Sequence, residues 1–405
     1  MMPKRIVLKY GGTSVASTDL IKKVANIVKT RTEEGYQVVV VASAMGKKTD
    51  ELISLANACS GKIHRRELDH LLSTGEQQTV SLIAMTLLGL GINAISLTGF
   101  QAGFRTTEDH TNSRIIDVDV NRIEKHLEQG QVVIVAGFQG INEIGDITTL
   151  GRGGSDTSAV ALAAKLSCPC NIYTDVDAVC TTDPRIYKDA KKIHSISYEE
   201  MMELASLGAG VLEPRSVALA NKYKVPLYLG RSLEVDHQKG TRIMSENLLL
   251  EQRPVTGVTI MDGISTVSFE GLENNQRNLS QIFRLVSDAN INIDMISQNY
   301  DENGNLVVSF SCHTEDLDLV KEMISKNRTL FGDAKIENRN NLTKLSVVGI
   351  GMKSNFGVAA DFFETLSDHD IKFYQVTTSE ISISCSIDTM HNHKSVEAIA
   401  RRFNL

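Results

Sequence analysis

The sequence predicts an α/β region followed by duplicated α+β units, and three observations carry that expectation. Through about residue 230, short Val/Ile/Leu strands alternate with longer helical patterns. Runs such as Val38-Val39-Val40-Val41 and Val132-Val133-Ile134-Val135 are apolar at every position, as strands of a sheet covered on both faces require. Beyond residue 260 the chain repeats itself. Residues 283–296 align with 363–376 at an offset of 80, so that Ser287-Asp288 falls on Ser367-Asp368 and Ile291 on Ile371.

Taken in order, strands are expected at 4–9, 37–43, 92–97, 131–137, 170–174 and 225–229, and helices near 19–34, 65–89, 119–129, 155–166, 197–206 and 213–223. The stretch 231–254, with Asp236-His237-Gln238-Lys239-Gly240 and Glu251-Gln252-Arg253-Pro254, lacks periodicity and reads as a connector. Each repeat then reads strand, helix, strand, strand, helix: 264–272, 279–289, 291–298, 305–312 and 315–326, then 343–350, 357–368, 371–378, 381–387 and 393–403. The first copy can close on a strand at 334–338. The second reaches Leu405 without one, so the apolar segment 255–260 is expected to supply it, with the first unit inserted within the second. The expected domains are 1–245, 255–338 and 339–405.

At 405 residues and 42% hydrophobic composition, the chain can bury a core in each of several domains. A formal net charge of −7 argues against nucleic acid or an anionic membrane as the main partner. A strand begins almost at Met1, leaving no room for a signal peptide, and no apolar run approaches the ~18 residues of a membrane helix. Cytoplasmic residence is expected. The six cysteines lack paired spacing and read as reduced thiols. Cys168-Pro169-Cys170, His391 and His393 do not read as metal ligands.

Two glycine loops carry the chemistry. Gly151-Arg152-Gly153-Gly154-Ser155-Asp156-Thr157 runs into an apolar helical stretch, and Lys9-Tyr10-Gly11-Gly12-Thr13-Ser14 follows the strand Ile6-Val7-Leu8. Glycines let backbone N–H groups approach an anion, and a helix start adds partial positive charge. Neither loop fits the Walker A or the dinucleotide-fold pattern, so the loops alone leave the ligand open. Their company narrows it. Lys9, Ser43, Thr49, Glu76, Arg152, Ser155, Asp156, Thr174, Asp175 and Arg185 all lie at or just after expected strand ends, the edge where open α/β sheets bind ligands.

Together with Ser73-Thr74-Gly75-Glu76, Tyr173-Thr174-Asp175-Val176-Asp177 and Thr182-Asp183-Pro184-Arg185, these loops resemble the aspartokinases of the amino-acid kinase superfamily. The repeats resemble the paired ACT domains of that family. The resemblance covers essentially the whole chain. It implies a three-layer sandwich with a mostly parallel central sheet, followed by two βαββαβ, ferredoxin-like ACT units. It also implies transfer of the ATP γ-phosphoryl to the side-chain carboxylate of L-aspartate, the first step towards lysine, threonine and methionine. ATP would arrive with Mg²⁺, whose protein ligands the sequence does not identify.

By the same resemblance, Lys9, Tyr10, Gly11 and Gly12 would meet the phosphates, and Thr174, Asp175, Asp183 and Arg185 the nucleotide. Arg152 would hold the substrate α-carboxylate beside Gly153, Gly154, Ser155 and Ser43. Glu76 would take the α-ammonium, Thr49 a further contact, and Asp156 would orient lysine and metal. An amino-acid effector, lysine first and threonine second, would bind around Ser354, Gly357, Val358, Ser379 and Glu380, with Asn274 and Gln298 of the first copy the weaker alternative. A homodimer or tetramer through the ACT units is implied. Met244 stands where an internal start could yield a separate regulatory subunit, although it reads more simply as a connector residue. Ala178, Cys180 and Gly210 depart from the family pattern near the expected adenosine pocket, which predicts weaker ATP binding. The rival readings are a glutamate-type kinase and an amino-acid sensor with little turnover.

Overall fold

The computed structural model describes residues 4–233, 239–245 and 253–405. The chain forms two compact units. Of the described residues, the first comprises those up to Val179, Lys192–Ser206 and those from Gly210 to 245; the second comprises Cys180–Lys191, Leu207–Ala209 and those from 253 onward. This division departs from a single boundary at 245, because two short excursions of the chain pack with the later residues. Of the expected connector, 234–238 and 246–252, with Asp236, His237, Gln238, Glu251 and Gln252, lie outside the described residues. Met244 ends the strand Thr241–Met244.

An eight-stranded sheet organises the first unit, in the order Ser195–Ser197, Thr241–Met244, Leu227–Arg231, Cys170–Thr174, Lys4–Tyr10, Tyr36–Ala42, Val132–Ala136 and Ala94–Leu97. Every neighbouring pair is parallel except Leu227–Arg231 with Thr241–Met244. Lys4–Tyr10 lies at the centre, with Val7 opposite both Val39 and Cys170. On one face Leu8, Val40 and Ile134 pack against Ile21, Val24 and Val28 of helix Thr18–Glu33 and Val80, Ile83 and Leu87 of helix Arg65–Gly89. Helix Gly154–Lys165 also contacts Lys4–Tyr10, and it is buried along almost its whole length. Coverage on both faces is why the central strands are apolar at consecutive positions rather than alternating.

Two features of this unit leave little trace in the sequence. A four-stranded sheet forms from Ile115–Val118, Phe104–Thr106, Gln139–Ile141 and Ile147–Thr149, strands of three or four residues that are too short to show a period. Helix Lys48–Cys59 buries only Leu52, so it carries little apolar signal.

The second unit is built on a six-stranded antiparallel sheet, ordered Ile293–Tyr300, Leu306–His313, Gly257–Leu272, Lys335–Val348, Ser382–Asp388 and Phe373–Thr378. Its two central strands are long enough to serve both repeats. Val258 and Ile260 pair with Val347 and Leu345, while Val267 and Phe269 pair with Asn338 and Ile336. The repeats share local geometry as well as sequence. Asn290 and Asp370, which follow helices Gln276–Asp288 and Val358–Asp368, both have left-handed φ values, 56° and 52°. Each edge strand carries a register shift at the matching place, Ile293/Ile296 and Phe373/Val376.

Each repeat has its own core, one around Phe269, Phe310 and Val320 and the other around Phe362, Leu366 and Ile399. Phe362 is fully buried and meets Phe363 edge-on. Truncation to Ala is expected to cost about 3–5 kcal/mol, read as a lower urea midpoint by circular dichroism; an unchanged midpoint would show that this core is not packed as described.

Candidate active site

The site is assembled at the carboxyl ends of the central strands of the first unit. Lys9, next to last in its strand, is 7% exposed, and its Nζ lies 2.5 Å from Oδ1 of Asp156. Asp156 stands in the first turn of helix Gly154–Lys165, where the helix dipole favours a negative charge. Gly11 and Gly12 leave the strand end open. A Cβ on Gly12 would come within 2.9 Å of the Ala44 carbonyl, so the loops after the first two strands cross at backbone distance. Ser43 and Ser155 join the same edge, their hydroxyls 2.7 Å apart.

Glu76 enters this edge from helix Arg65–Gly89. The helix comes close because Gly75 faces Ala44, where a Cβ would meet the Ala44 Cβ at 2.9 Å. Oε1 accepts a hydrogen bond from the Ala44 N–H at 3.1 Å, while Oε2 is buried with no partner among the described residues. Burial without a counter-charge pushes its carboxyl up from 4.5 to about 7, against the pull of the backbone hydrogen bonds. A buried carboxylate with one free oxygen is a receptor for a cationic donor.

The loop carrying Arg152 is held from beneath. Gly153 takes φ 65° and caps the helix; a Cβ there would lie 2.4 Å from the Cβ of Glu213. Arg152 itself is exposed and makes no hydrogen bond or ion pair with any described residue. Arg215 donates to the carbonyls of Leu150 at 2.8 Å and Ser113 at 3.1 Å. From the opposite side Asp69, fully buried, accepts from the Thr149 hydroxyl at 2.5 Å and the Thr111 N–H at 3.0 Å, with His110 Nδ1 2.9 Å away. Thr111 and Phe138 both have positive φ, 70° and 69°, a strained backbone for bulky residues; Asp69 holds Thr111, and the Phe138 N–H donates to the Ser158 hydroxyl at 3.1 Å. Sequence reasoning did not find Asp69, His110, Glu213 or Arg215. The spacing of Asp69, Ser73 and Glu76 along one helix face was the available signal.

The remaining candidates are placed unevenly. Thr49 lies in the first turn of helix Lys48–Cys59. Tyr10 is fully buried with its ring stacked on Tyr173 at 5.1 Å, so only its backbone reaches the strand end. The Thr174 hydroxyl donates to Asp175, and its carbonyl accepts from the Ser232 hydroxyl. Asp183 and Arg185 form a bidentate pair within Cys180–Lys191, a segment of the second unit. Gly210 takes φ 62°, a left-handed turn that favours glycine over the lysine of the family pattern.

In the second unit, an ion pair of 3.1 Å between Lys353 and Glu380 ties the loop holding Ser354 to the loop holding Ser379. Gly357, at φ 92°, begins helix Val358–Asp368 with no side-chain cap, whereas Asn275 caps the corresponding helix Gln276–Asp288 by accepting from the Arg277 N–H. Val358 is buried at the first position of its helix, Asn274 stands in the turn before the capped one, and Gln298 lies exposed on Ile293–Tyr300.

Among the described residues, no group of three or more His, Cys, Asp or Glu side chains could hold a metal ion, and no helix is long and apolar enough to cross a membrane. Residues 4–231 match the amino acid kinase family and residues 345–403 the ACT domain. The chain is 48% identical to an aspartokinase of Geobacillus stearothermophilus over 99% of its length and 97% of the relative's, and 47% identical to aspartokinase 2 of Bacillus subtilis over 99% and 98%. It belongs to the aspartokinase family. The fold agrees with an aspartokinase III of E. coli solved with aspartate and ADP, at a TM-score of 0.84 and 22% identity, covering 99% of this chain and all of that one. Within the aspartokinase fold, the sheet edge where Lys9, Asp156 and Glu76 meet is therefore the candidate active site.

Burial of Glu76 makes folding pH-dependent. Its carboxyl titrates near 7 in the folded protein and near 4.5 when unfolded, so between those values the folded state binds more protons and stability falls as pH rises. Glu76→Gln removes that cost, on the order of 3 kcal/mol above pH 7. The variant should resist urea better than the parent at pH 8 and equally at pH 4; equal midpoints at both would contradict an unpaired carboxylate.

Proposed function

We propose that this aspartokinase-family chain transfers the γ-phosphoryl of ATP to the side-chain carboxylate of L-aspartate, giving 4-phospho-L-aspartate and ADP. The observation that carries the reading is the buried Lys9–Asp156 pair at the glycine loops, with the half-satisfied Glu76 carboxylate on the same edge. A carboxylate with an ordinary pKa of ~3.9 is already an anionic nucleophile at neutral pH. One of its oxygens forms a bond to the γ-phosphorus while the bond to the β–γ bridging oxygen breaks, and ADP leaves with that electron pair. No proton needs to be abstracted.

The protein's task is to compensate charge and to align the reactants. Lys9 and the backbone N–H groups at Gly11 and Gly12 would meet phosphate oxygens, and Asp156 would hold Lys9 in place. Arg152, unpaired on its loop, would grip the α-carboxylate, with Ser43, Ser155 and Thr49 beside it. The free oxygen of Glu76 would accept from the α-ammonium, which stabilises its ionised form. Thr174 and Asp175 would contact the nucleotide. Mg²⁺ would travel on the ATP phosphates, a mode that needs one or two carboxylates rather than a dedicated cage.

The second repeat would carry the regulation. Its uncapped helix start at Gly357, with Val358 and the linked loops of Ser354, Ser379 and Glu380, suits an amino-acid effector, lysine before threonine. In the first repeat, Asn275 already uses an N–H that an effector carboxylate would need. Residues 1–245 would form the catalytic domain, and 255–338 and 339–405 the ACT regions, through which copies would associate as dimers or tetramers.

The test is ATP turnover with L-aspartate against L-glutamate, trapping the acyl phosphate with hydroxylamine. Aspartyl hydroxamate should form, and Arg152→Ala should lower kcat/KM for aspartate by roughly 10²-fold or more. No hydroxamate with either substrate from folded protein would favour the sensor reading; glutamyl hydroxamate alone would favour the glutamate-type kinase.

A further inference from the structure

Beside helix Gly154–Lys165 lies a cavity of about 570 Å³, the size of a small-molecule site. It shares no residue with the constellation of Lys9, Glu76, Arg152 and Asp156. Three elements of the first unit wall it. Thr157, Ala161 and Ala164 form one stripe of that helix, Arg215, Leu219 and Lys222 form one stripe of helix Pro214–Tyr223, and strand Ile115–Val118 closes the third side. The interior is apolar at Val118, Ala161 and Leu219, and Ile116 and Tyr223 are more than half exposed.

The charge of the lining is one-sided. Arg114, Lys165, Arg215 and Lys222 contribute four cations, against Asp117 as the one carboxylate of the lining. That carboxylate is already engaged, 2.5 Å from Lys165 Nζ. Arg215 donates hydrogen bonds only to neutral acceptors, the Leu150 carbonyl, the Ser113 carbonyl and, at 3.5 Å, the Asn112 side chain, while its charge also acts on the Glu213 carboxyl beyond ion-pair distance. No carboxylate of the described residues lies within ion-pair distance of it. Arg215 therefore stands between the cavity and the loop that leads into Arg152.

We propose that this cavity binds a small organic anion, a carboxylate on an aromatic or branched apolar body, and that its occupation loosens the substrate loop through Arg215. A carboxylate is a stronger partner for a guanidinium than a peptide carbonyl, so it draws Arg215 away from Leu150 and Ser113. Leu150 then loses the donor that fixes it two residues before Arg152. The apolar body fills the space beside Ala161 and Leu219. The effect on catalysis rests on Arg152 as the substrate ligand; binding itself does not.

The probe is phenylacetate, titrated calorimetrically into the full chain, with phenylacetamide as its neutral counterpart. Phenylacetate should give saturable heat in the millimolar range, about 0.1–10 mM, and phenylacetamide none. At saturation the KM for aspartate should rise about 5-fold or more, with the KM for ATP unchanged. Ala161→Phe, which fills the cavity, and Lys222→Glu, which alters its charge on the surface, should each abolish the heat while basal kcat and KM persist. Absent heat, equal binding of the amide, or heat that survives Lys222→Glu would overturn the site. Saturable binding with unchanged aspartate KM in a chain that turns aspartate over would overturn the coupling. In a chain without turnover, the heat and the variants still decide the site.

Discussion

The arrangement of the first unit depends on one buried ion pair. A lysine ammonium that is 7% exposed would be costly without a counter-charge, and Asp156 supplies one at 2.5 Å. For that pair to form, the strand ending at Tyr10 must lie directly under the start of helix Gly154–Lys165. The sheet order achieves this by placing Lys4–Tyr10 between Tyr36–Ala42 and Cys170–Thr174. Gly153, in the left-handed region, turns the chain into the helix so that Asp156 falls in its first turn. The neighbouring glycines keep the space above the pair free of side chains.

Around this pair the protein accepts local costs that a purely structural design would remove. Glu76 leaves one oxygen unpaired in a buried position, and Thr111 and Phe138 hold unfavourable backbone angles beside the Arg152 loop. Asp69 and Arg215 brace the two segments that meet at this loop, Asp69 through Thr111 and Thr149 and Arg215 through Ser113 and Leu150. The result is a fixed loop that presents an unpartnered arginine. At Glu76 the unmet polarity lies where a cationic ligand would relieve it.

Much of this was legible from residues alone, for physical reasons. The strands of the large sheet announce themselves because burial on both faces demands apolar runs, and the two repeats because matched turns at Asn290 and Asp370 need matched residues. Lys9, Glu76, Ser155 and Asp156 stand out as candidates because each follows a recognisable strand or sits in a glycine-bearing motif. The supports were hidden. Arg215 and Asp69 reach the Arg152 loop from distant positions, and the four-stranded sheet that carries Thr149 has strands too short for periodicity. Conversely, Tyr10 looked like part of a phosphate loop but belongs to the core, because strand alternation turns its ring away from the edge. Gly210 looked like a lost cation, and its positive φ shows that the backbone selects glycine there.

The central claim, that Asp156 acts by holding Lys9 as the phosphate-facing cation, is tested most directly by steady-state kinetics of Asp156→Asn and Lys9→Met beside the double variant. Each single change should lower kcat by roughly 10²-fold or more while the KM for aspartate stays within about 3-fold. The double variant should be little worse than either, because paired groups that act as a unit are not additive. If the two losses multiply in the double variant, or Asp156→Asn leaves kcat unchanged, the ion pair is not the element on which turnover depends.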